Sequence, residues 1–449
     1  MSTRQQRPRD LQEHLHSRTA PARTTARSAD LGVPERVRQG DPLVDLRMAD
    51  HLMPGDTVVI GQAAAEPPEL VARLIEAAGE CERLTAVCGY SLSDAWGKVT
   101  AGRPRVVGYA AHGPLRPLAA NGLMDVMPCH YSQLEQHVIS GRIPADVVLL
   151  QLPPADADGY HSVGPSVDYA ALAAQSARVV LAEINENLPS TRAQWRLHRS
   201  QITASITTDR PVVGTPSRPP STAERALSRN VASAIPDGAT IQLGIGTLAD
   251  AIATELRGHH RLRVRSGLVG NWLLDLHNAG ALDTAEGACV TGMALGDPEL
   301  YSFVHDSDAI RFVPISELLS ATAVAECNPY VAVNSALEVD LLGQVNSEVI
   351  KGRYVGAVGS QVDTFRATRL AKSGLAIVAM AATSPSGDTS QIVGRLSGPV
   401  TSLQSDIDLV VTEFGIADLR ATTLRERAER LIAVAAPEHR ATLRASYSS

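Results

Sequence analysis

The stretch MPGDTVVIGQAAAEPPELVARLI, residues 53–75, decides the fold because its outline returns once along the chain. Residues 235–256, IPDGATIQLGIGTLADAIATEL, follow the same plan. Each segment begins with a proline and a Gly/Asp turn, and continues as a short apolar run typical of a strand. It then passes through a glycine-containing loop and ends in an amphipathic stretch typical of a helix. The repeat predicts the same strand–loop–helix unit near the start of each half of the chain.

A second pair of similar segments indicates that a whole domain is duplicated. Residues 161–190 and 355–386 both contain a G-x-x-V-D step, at 164–168 and 359–363, followed by a predicted helix and a buried strand. In each half of the chain, the strand–loop–helix segment comes before the segment with the G-x-x-V-D step. We therefore expect two similar open α/β domains that arose by internal duplication, each with a parallel sheet covered on both faces. The predicted domains are 41–215 and 222–449, joined near the proline-rich residues 211–222, with the active site between them.

Composition restricts the class of protein. The 449 residues are 44% hydrophobic and 20% charged, which is typical of globular proteins. A net charge of −7 argues against a nucleic-acid partner, and no apolar run reaches the ~18 residues needed to span a membrane. The five cysteines show no metal-ligand spacing, so no metal is expected. These features predict a cytoplasmic protein whose partner is a small molecule.

The first 40 residues differ from the rest of the chain. They carry eight arginines against four acidic residues and no helical apolar stripe. We expect a disordered Arg-rich tail over 1–40. A mitochondrial presequence is the alternative, although Asp10 and Glu13 interrupt its usual pattern.

Two glycine loops are candidate ligand-binding segments. The first is GIGT, which follows a predicted strand and opens a helix, so that its backbone and the helix N-terminus favour an anionic group. The second, GAVGSQVD at 356–363, is able to present backbone N–H groups to an oxyanion or an amide. Each loop alone is also compatible with a plain tight turn. The residues expected to bind the ligand are Gly244, Ile245, Gly246, Thr247, Gly356, Val358, Ser360 and Gln361.

Residues 330–348, YVAVNSALEVDLLGQVNSE, place five polar side chains in an otherwise apolar, strand-like run. Buried polar groups cost about 1–3 kcal/mol each unless they are hydrogen-bonded. Two interpretations stay open: a polar network that braces the sheets, or direct participation in the active site. The five residues are Asn334, Glu338, Asp340, Gln344 and Asn346.

Taken together, these segments resemble the acetyl-CoA hydrolase/transferase family, which includes the 4-hydroxybutyrate and butyryl-CoA:acetate CoA-transferases. The resemblance covers about residues 45–440 and rests on GIGTLADAI, NSALEVDLLGQVNSE, GAVGSQVD, and VVTEFGIADLRATTLRERAERLIAVAAPEHR at 410–440. In the N-terminal half, IPADVVLLQLPPADADGYHSVGPSVD at 143–168 is similar as well. The family resemblance implies a pair of open α/β domains of the CoA-transferase type. It also implies that coenzyme A is bound as acyl-CoA, mainly by the C-terminal half. It also implies a homodimer.

The resemblance further implies a catalytic difference. Family members that transfer CoA carry a glutamate nucleophile in an H-T-E-M-like motif between the G-I-G loop and a D-L-x-x-A-G segment. Here DLHNAG, at 275–280, anchors the comparison and places Arg265, Ser266 and Gly267 at the His, Thr and Glu positions. Glycine cannot form the acyl anhydride or the glutamyl-CoA thioester of that mechanism.

Three functions follow as hypotheses. The first is direct acyl transfer from acyl-CoA to water, an amine, an alcohol or a carrier thiol in the space left by the glutamate, with Gly359 and its neighbours stabilising the oxyanion. The second is CoA transfer between carboxylic acids with Glu338 as nucleophile. The third is a CoA-binding protein or scaffold without turnover.

The residues predicted for catalysis come from the segments that resemble the family's site. Candidate bases for direct transfer are His130, Glu66 and Glu338, and Ser266 is a candidate replacement nucleophile. Gly267, Asn334 and Gly359 complete the predicted catalytic set. Four further residues are candidates for the acyl pocket: Trp96, His112, His161 and Trp195.

Overall fold

The computed structural model describes residues 46–100, 103–214 and 218–447. The predicted tail at 1–40 lies outside the described residues. In the described part, no helix is both long enough and apolar enough to cross a bilayer. No group of His, Cys, Asp and Glu suited to a metal ion is found there either.

The described part of the N-terminal half contains nine strands, four α-helices and four short 3₁₀ turns, at Met48–His51, Ala63–Ala65, Asp94–Lys98 and Arg199–Gln201. The strands are β1 (Thr57–Ile60), β2 (Thr85–Cys88), β3 (Arg105–Gly108), β4 (Met124–Val126), β5 (Val147–Leu152), β6 (Tyr160–Ser162), β7 (Val179–Asn185), β8 (Arg196–His198) and β9 (Ala204–Thr208). The helices are α1 (Pro68–Ala77), α2 (Leu115–Ala120), α3 (Tyr131–Ile139) and α4 (Tyr169–Ala173).

The C-terminal half is larger and has two more 3₁₀ turns, Thr368–Leu370 and Pro437–His439. Its strands are β10 (Thr240–Gln242), β11 (Arg263–Val269), β12 (Cys289–Ala294), β13 (Arg311–Phe312), β14 (Tyr330–Asn334), β15 (Glu338–Asp340), β16 (Val345–Asn346), β17 (Val349–Ile350), β18 (Arg353–Tyr354), β19 (Gly374–Ala379), β20 (Ile392–Val393), β21 (Leu409–Thr412) and β22 (Gly415–Asp418). Its helices are α5 (Thr222–Ser233), α6 (Thr247–Leu256), α7 (Trp272–Asn278), α8 (Pro298–Val304), α9 (Ile315–Leu318), α10 (Ala321–Ala325), α11 (Gln361–Ala367), α12 (Leu424–Val434) and α13 (Arg440–Tyr447).

Two large sheets have the same strand order. The first runs β4-β3-β2-β1-β5-β7-β9 and is parallel throughout. The second runs β13-β12-β11-β10-β14-β19-β21 in parallel, and β22 adds an antiparallel edge strand. Position by position, each strand of the first sheet has a counterpart in the second. The prediction of two similar open α/β domains is confirmed, and the shared strand order supports their origin by duplication.

Burial explains why these segments form sheets covered on both faces. All six residues of β5, VVLLQL, are buried, as are all six of β12, so each strand has a packing partner on both sides. The helix α1 buries Leu70, Val71, Leu74 and Ile75 on one face, which is the spacing expected of an amphipathic helix that covers a sheet.

Several apolar clusters contain residues of both halves. The one that borders both glycine loops is called the seam cluster. Its N-terminal members include Tyr109, Tyr131 and Leu134, and its C-terminal members include Met293 and Ile315. The main chains also pair across the seam: Val167 donates to the carbonyl of Gly292 at 2.9 Å, and Ala294 donates to Pro165 at 2.8 Å. Together with residues 42–449 grouping as one compact unit, these contacts fix the two halves against each other.

Candidate active site

The first glycine loop joins β10 to α6 at the carboxyl end of the second sheet. Gly246 caps α6 with φ +91°, a backbone conformation that side chains rarely adopt, and no side chain caps the first turn. Trp272 Nε1 fixes the loop by donating to the carbonyl of Gly244 at 2.9 Å. Gly244 and Gly246 are exposed, whereas Ile245 packs against the seam cluster. The predicted loop-to-helix geometry is therefore present, with its main chain open to a ligand.

The second glycine loop is held by the N-terminal half. Ala111 donates to the carbonyl of Gly356 at 3.1 Å, and Tyr131 donates to that of Gly359 at 2.9 Å. Only glycine fits at 356, since a Cβ there would lie 1.9 Å from the carbonyl oxygen of Ser347. Gly359 has φ +56° and open space around it. The loop is thus placed by contacts with both halves before α11 begins.

Gly267 lies on β11 with room for a Cβ. A Cβ built there would meet only Ile315 Cδ1, at 3.8 Å, an ordinary van der Waals contact. The neighbouring Leu268 packs against the seam cluster, as do Ile245 and Ala357 from the two glycine loops. Gly267 and both loops therefore border the same cluster between the halves.

The counterpart of Gly267 in the first sheet is Gly89. Thr57 of β1 pairs with Thr85, and its repeat partner Thr240 of β10 pairs with Arg263, so Gly89 and Gly267 are each four residues further along. A Cβ at Gly89 would lie 2.2 Å from Gln62 Oε1 and 2.9 Å from atoms of Tyr109 and Tyr169. Side chains of the N-terminal half therefore occupy the position beside Gly89, whereas the corresponding position beside Gly267 has room for a Cβ.

Ser266 faces away from this space. Its side chain is fully buried, and its hydroxyl lies 2.7 Å from the carbonyl of Leu243 and 3.0 Å from that of Leu268, both of which accept hydrogen bonds from it. Side chains alternate across a strand, so Ser266 and Gly267 point to opposite faces of the sheet. The hydroxyl bonds to the main chain of its own half.

The polar stretch 330–348 forms three short strands, β14 to β16, rather than one continuous run. The Glu338 carboxylate accepts hydrogen bonds from Asn346 Nδ2 at 3.1 Å and from Ser397 N and Oγ at 2.9 and 2.7 Å. Asn334 Nδ2 donates to Gln242 Oε1 at 3.2 Å and to Thr364 Oγ1 at 3.0 Å. These contacts match the bracing network, which was one of the two interpretations.

Gln361, from the second loop, belongs to the same network. Its Nε2 donates to the carbonyl of Ser335 at 2.8 Å, and its Oε1 accepts from Ser347 and Ser402 at 3.2 and 2.7 Å. Val358 and Ser360 lie half-buried between Gly356 and the start of α11. Gln361 therefore ties the second loop to the 330–348 network.

Glu66 lies inside the N-terminal half, with 3% of its surface exposed. Its carboxylate accepts hydrogen bonds from Ser91 Oγ, Leu92 N, Ser93 N and Trp96 Nε1, the last at 2.8 Å. Burial raises the pKa of Glu66, and these four donors act in the opposite direction. The structure therefore gives the buried Glu66 carboxylate four protein partners.

His130 is next to the second glycine loop. It forms an isolated parallel bridge with Gly359, and its amide donates to Gln133 Oε1 at 3.2 Å. Its Nδ1 is buried and has no hydrogen-bond partner among the described residues. Of the three candidate bases, His130 alone lies beside the loop, while Glu66 and Glu338 are engaged elsewhere.

The four pocket candidates are dispersed. Trp96 is fully buried against Glu66, and His161 Nδ1 lies 2.7 Å from the carbonyl of Pro153. Trp195 packs against the core of the C-terminal half. His112 lies beside the second glycine loop, where its ring is 5.6 Å from that of Tyr90.

Neither of two cavities in the described part of the chain includes Gly267. A cavity of about 510 Å³ is lined by Arg263, Arg265 and Arg311 at the amino ends of the strands, remote from the loops. Arg265 Nη1 donates to the carbonyl of Leu318 at 2.9 Å. A second cavity, of about 330 Å³, is lined by His130 and Asp363 at the seam.

The sequence did not predict which residues of the N-terminal half hold the second glycine loop. Ser132 donates to Asp363 through its amide at 3.0 Å and its hydroxyl at 2.7 Å. Tyr131 Oη accepts a hydrogen bond of 2.7 Å from Gln62 Nε2, and Gln62 is also bound by Tyr109. The one available signal was Asp363 itself, the last residue of the second G-x-x-V-D step.

The fold and site define a class of protein: two parallel α/β domains with glycine loops and an open position at the seam between them. Residues 46–210 match the acetyl-CoA hydrolase/transferase N-terminal domain, and residues 296–447 match the acetyl-CoA hydrolase/transferase C-terminal domain. The chain belongs to the acetyl-CoA hydrolase/transferase family, which acts on acyl-CoA thioesters.

Individual relatives agree with this assignment. The chain is 34% identical over 338 residues to the 4-hydroxybutyrate coenzyme A transferase of Clostridium kluyveri, covering 74% of this chain and 79% of that protein. It is similar to the crystal structure of RipA from Yersinia pestis, with a TM-score of 0.84, 26% identity and coverage of 90% and 96%. A 4-hydroxybutyrate CoA-transferase structure from Porphyromonas gingivalis gives a TM-score of 0.74 at 30% identity, with coverage of 89% and 95%.

Proposed function

We propose that this protein transfers CoA between carboxylic acids by direct attack of the acceptor carboxylate on the acyl-CoA, with no glutamyl intermediate. The observation that carries the proposal is the open space at Gly267, where the nearest contact to an added Cβ is 3.8 Å away. The resemblance assigns the family's glutamate to this position. An acceptor carboxylate placed there supplies the functional group that the chain lacks.

The chemistry balances without a protein nucleophile. An acceptor oxygen attacks the thioester carbonyl carbon, the C–S bond breaks, and CoA leaves as a thiolate while a mixed anhydride forms. The thiolate then attacks the acceptor's own carbonyl carbon, and the donor acid leaves as a carboxylate. Both steps pass through an oxyanion, which backbone donors of the second glycine loop are proposed to stabilise. Holding donor and acceptor together replaces covalent catalysis with proximity.

The proposal gives each loop a role. Residues 244–247 bind the anionic part of CoA at the uncapped first turn of α6. Gly356, Val358 and Ser360 hold the pantetheine and thioester, with Gly359 next to the reacting carbonyl. Gln361, whose side-chain atoms already have protein partners, holds the loop in place. His130, beside Gly359, orients the acceptor. Glu66, Glu338 and Ser266 have structural roles, because their polar atoms already have protein partners.

Hydrolysis is the second candidate, because water needs less room beside Gly267 than a carboxylate does and the family joins hydrolases with transferases. In that case water attacks the thioester, and free acid and CoA leave. Transfer to an amine, alcohol or carrier thiol uses the same geometry. A protein that binds CoA without turnover is the remaining hypothesis.

Mass spectrometry of the purified protein with acyl-CoA separates these functions. We expect butyryl-CoA plus acetate to yield acetyl-CoA, with no CoA adduct on the protein. Free CoA in the absence of any carboxylate would indicate hydrolysis, and binding without product would indicate a scaffold. Gly267→Glu is expected to gain a protein–CoA thioester, whereas the matched Gly267→Gln is not. A thioester adduct on the wild-type chain would refute the proposal.

A further inference from the structure

Three side chains of the N-terminal half converge beside the second glycine loop. They are Tyr90, His112 and Arg116, called the Arg116 cluster here. The rings of Tyr90 and His112 lie 5.6 Å apart and tilted at 44°. Arg116 Nη2 donates to the carbonyl of Val355 at 3.4 Å, one residue before the loop begins.

The main chain next to the cluster is fixed to the same loop. The amide of Ala111, which precedes His112, donates to the carbonyl of Gly356 at 3.1 Å, and Ala110 forms a bridge with Ala357. Tyr90 packs against the seam cluster, as Leu268 and Ala357 do. The Arg116 cluster therefore lies beside the second glycine loop and borders the same seam cluster as Leu268, the neighbour of Gly267.

The polar groups of the cluster lack protein partners within the described part of the chain. No carboxylate lies within 4.0 Å of the Arg116 guanidinium there, and its recorded hydrogen bond is to one backbone carbonyl. Neither Tyr90 Oη nor a ring nitrogen of His112 has a hydrogen bond to a described residue. Tyr90 and His112 are half-buried, and half-buried donors without partners are costly unless water or a ligand satisfies them. The Arg116 side chain is exposed, so its guanidinium is accessible to a ligand.

The charge of the cluster is positive and small. Burial lowers the pKa of His112, and the positive charge of Arg116 lowers it further. Burial raises the pKa of Tyr90, with Arg116 acting in the opposite direction. Both groups are neutral at pH 7, so the cluster carries one positive charge. A single positive charge matches a single carboxylate better than the several charges of CoA's phosphates.

We propose that Tyr90, His112 and Arg116 form a subsite for the distal carboxylate of a dicarboxylic acid, which is bound as acyl group or as acceptor. Arg116 pairs with the carboxylate, Tyr90 Oη donates to it, and His112 supplies a second donor. The reacting carboxyl end lies toward Gly267. The role as a specificity site rests on the proposed function, but binding of the diacid does not.

The kinetic test compares acyl groups that differ in one terminal group. Succinyl-CoA and butyryl-CoA have equal chain length, but only the first ends in a carboxylate. We expect Arg116→Gln to lower the ratio of their kcat/KM values by about 10- to 100-fold, and Arg116→Lys to restore part of it. The control is Arg105→Gln, which removes an exposed arginine paired with Asp125 elsewhere. An unchanged ratio would overturn the proposal.

A binding measurement separates this inference from the proposed function. Calorimetry with succinate and butyrate should show a preference for succinate that Arg116→Gln abolishes, whether or not turnover occurs. Turnover without that preference would refute the subsite and leave the proposed function standing. A preference for succinate without any turnover would refute the proposed function and leave the subsite standing. If Arg116→Gln weakens free CoA as much as it weakens succinate, the guanidinium binds a CoA phosphate and the subsite is wrong.

Discussion

The amide of Tyr131 donates a hydrogen bond of 2.9 Å to the carbonyl oxygen of Gly359. Tyr131 begins α3 in the N-terminal half, and Gly359 belongs to the loop that the C-terminal half contributes to the site. One residue after Tyr131 and four residues after Gly359, Ser132 Oγ donates to Asp363 at 2.7 Å. The N-terminal half thus holds the second glycine loop in place, although this loop belongs to the C-terminal half, which is proposed to bind acyl-CoA.

Gly359→Ala should impair turnover beyond its effect on stability. Alanine at φ +56° costs about 1–2 kcal/mol, because the left-handed region is strained for residues with a Cβ. Gly122→Ala is the matched control, at φ +69° with nothing within 4 Å of its Cβ, in a turn after α2. Chemical denaturation should show similar losses for both variants, whereas kcat/KM should fall only for Gly359→Ala. Equal kcat/KM values for the two variants would exclude a role for the loop.

Gly267→Leu should block the proposed reaction by filling the open space with an inert side chain. We expect turnover to fall by at least about 100-fold with little change in thermal stability, since a Cβ at this position meets only Ile315 at 3.8 Å. Gly267→Ala adds one methyl group and should retain most activity. Steady-state kinetics on the two variants check this, and full activity of Gly267→Leu would place the reaction elsewhere.

Glu66→Gln should destabilise the fold without changing the chemistry. The variant places an amide NH₂ among four donors, so at least one buried donor loses its acceptor, at a cost of about 2–4 kcal/mol. Activity per folded molecule should stay close to wild type. Denaturant titration and active-site-normalised rates measure both quantities. A large fall in rate with unchanged stability would instead support the role of Glu66 as a base.

Asp168 should make stability depend on pH. Burial raises the pKa of its carboxyl group to about 6 from 3.8, so the folded protein binds this proton more tightly than the unfolded chain. Its contribution to stability is therefore greatest below pH 3.8 and is lost as the pH rises through about 6, by up to about 3 kcal/mol.

Comparison with Asp168→Asn isolates this contribution, because the asparagine does not titrate. The free energy of unfolding of the wild type, relative to the variant, should fall between about pH 4 and about pH 7. Urea titrations across this range provide the measurement. A difference that stays constant or increases with pH would contradict the assignment.

Sequence reasoning predicted the fold well because repetition and apolar patterning are local properties. The similarity of residues 53–75 and 235–256 was sufficient to predict two like domains, and the shared strand order of the two sheets agrees with it. GIGT was correctly placed before a helix, which begins at Thr247. These features depend on neighbours along the chain.

The candidate site was harder to predict because its geometry depends on distant partners. Glu66 and His130 looked alike as candidate bases, yet Glu66 is enclosed by residues 91–96, whereas His130 bridges to Gly359. Ser266 and Gly267 are adjacent in sequence and face opposite sides of a strand. Arg116 gave no signal at all, since only tertiary contact brings it to Val355.

The seam cluster has a consequence for how this molecule is made. Its apolar members come from both halves, so a polypeptide ending after β9 or beginning at α5 would leave residues such as Leu134 and Ile315 exposed to water. Each such side chain contributes about 1.5–3 kcal/mol when buried. A gene cut at the linker should therefore give soluble protein only when both fragments are synthesised in the same cell. Each domain therefore depends on the other for the burial of its own apolar surface.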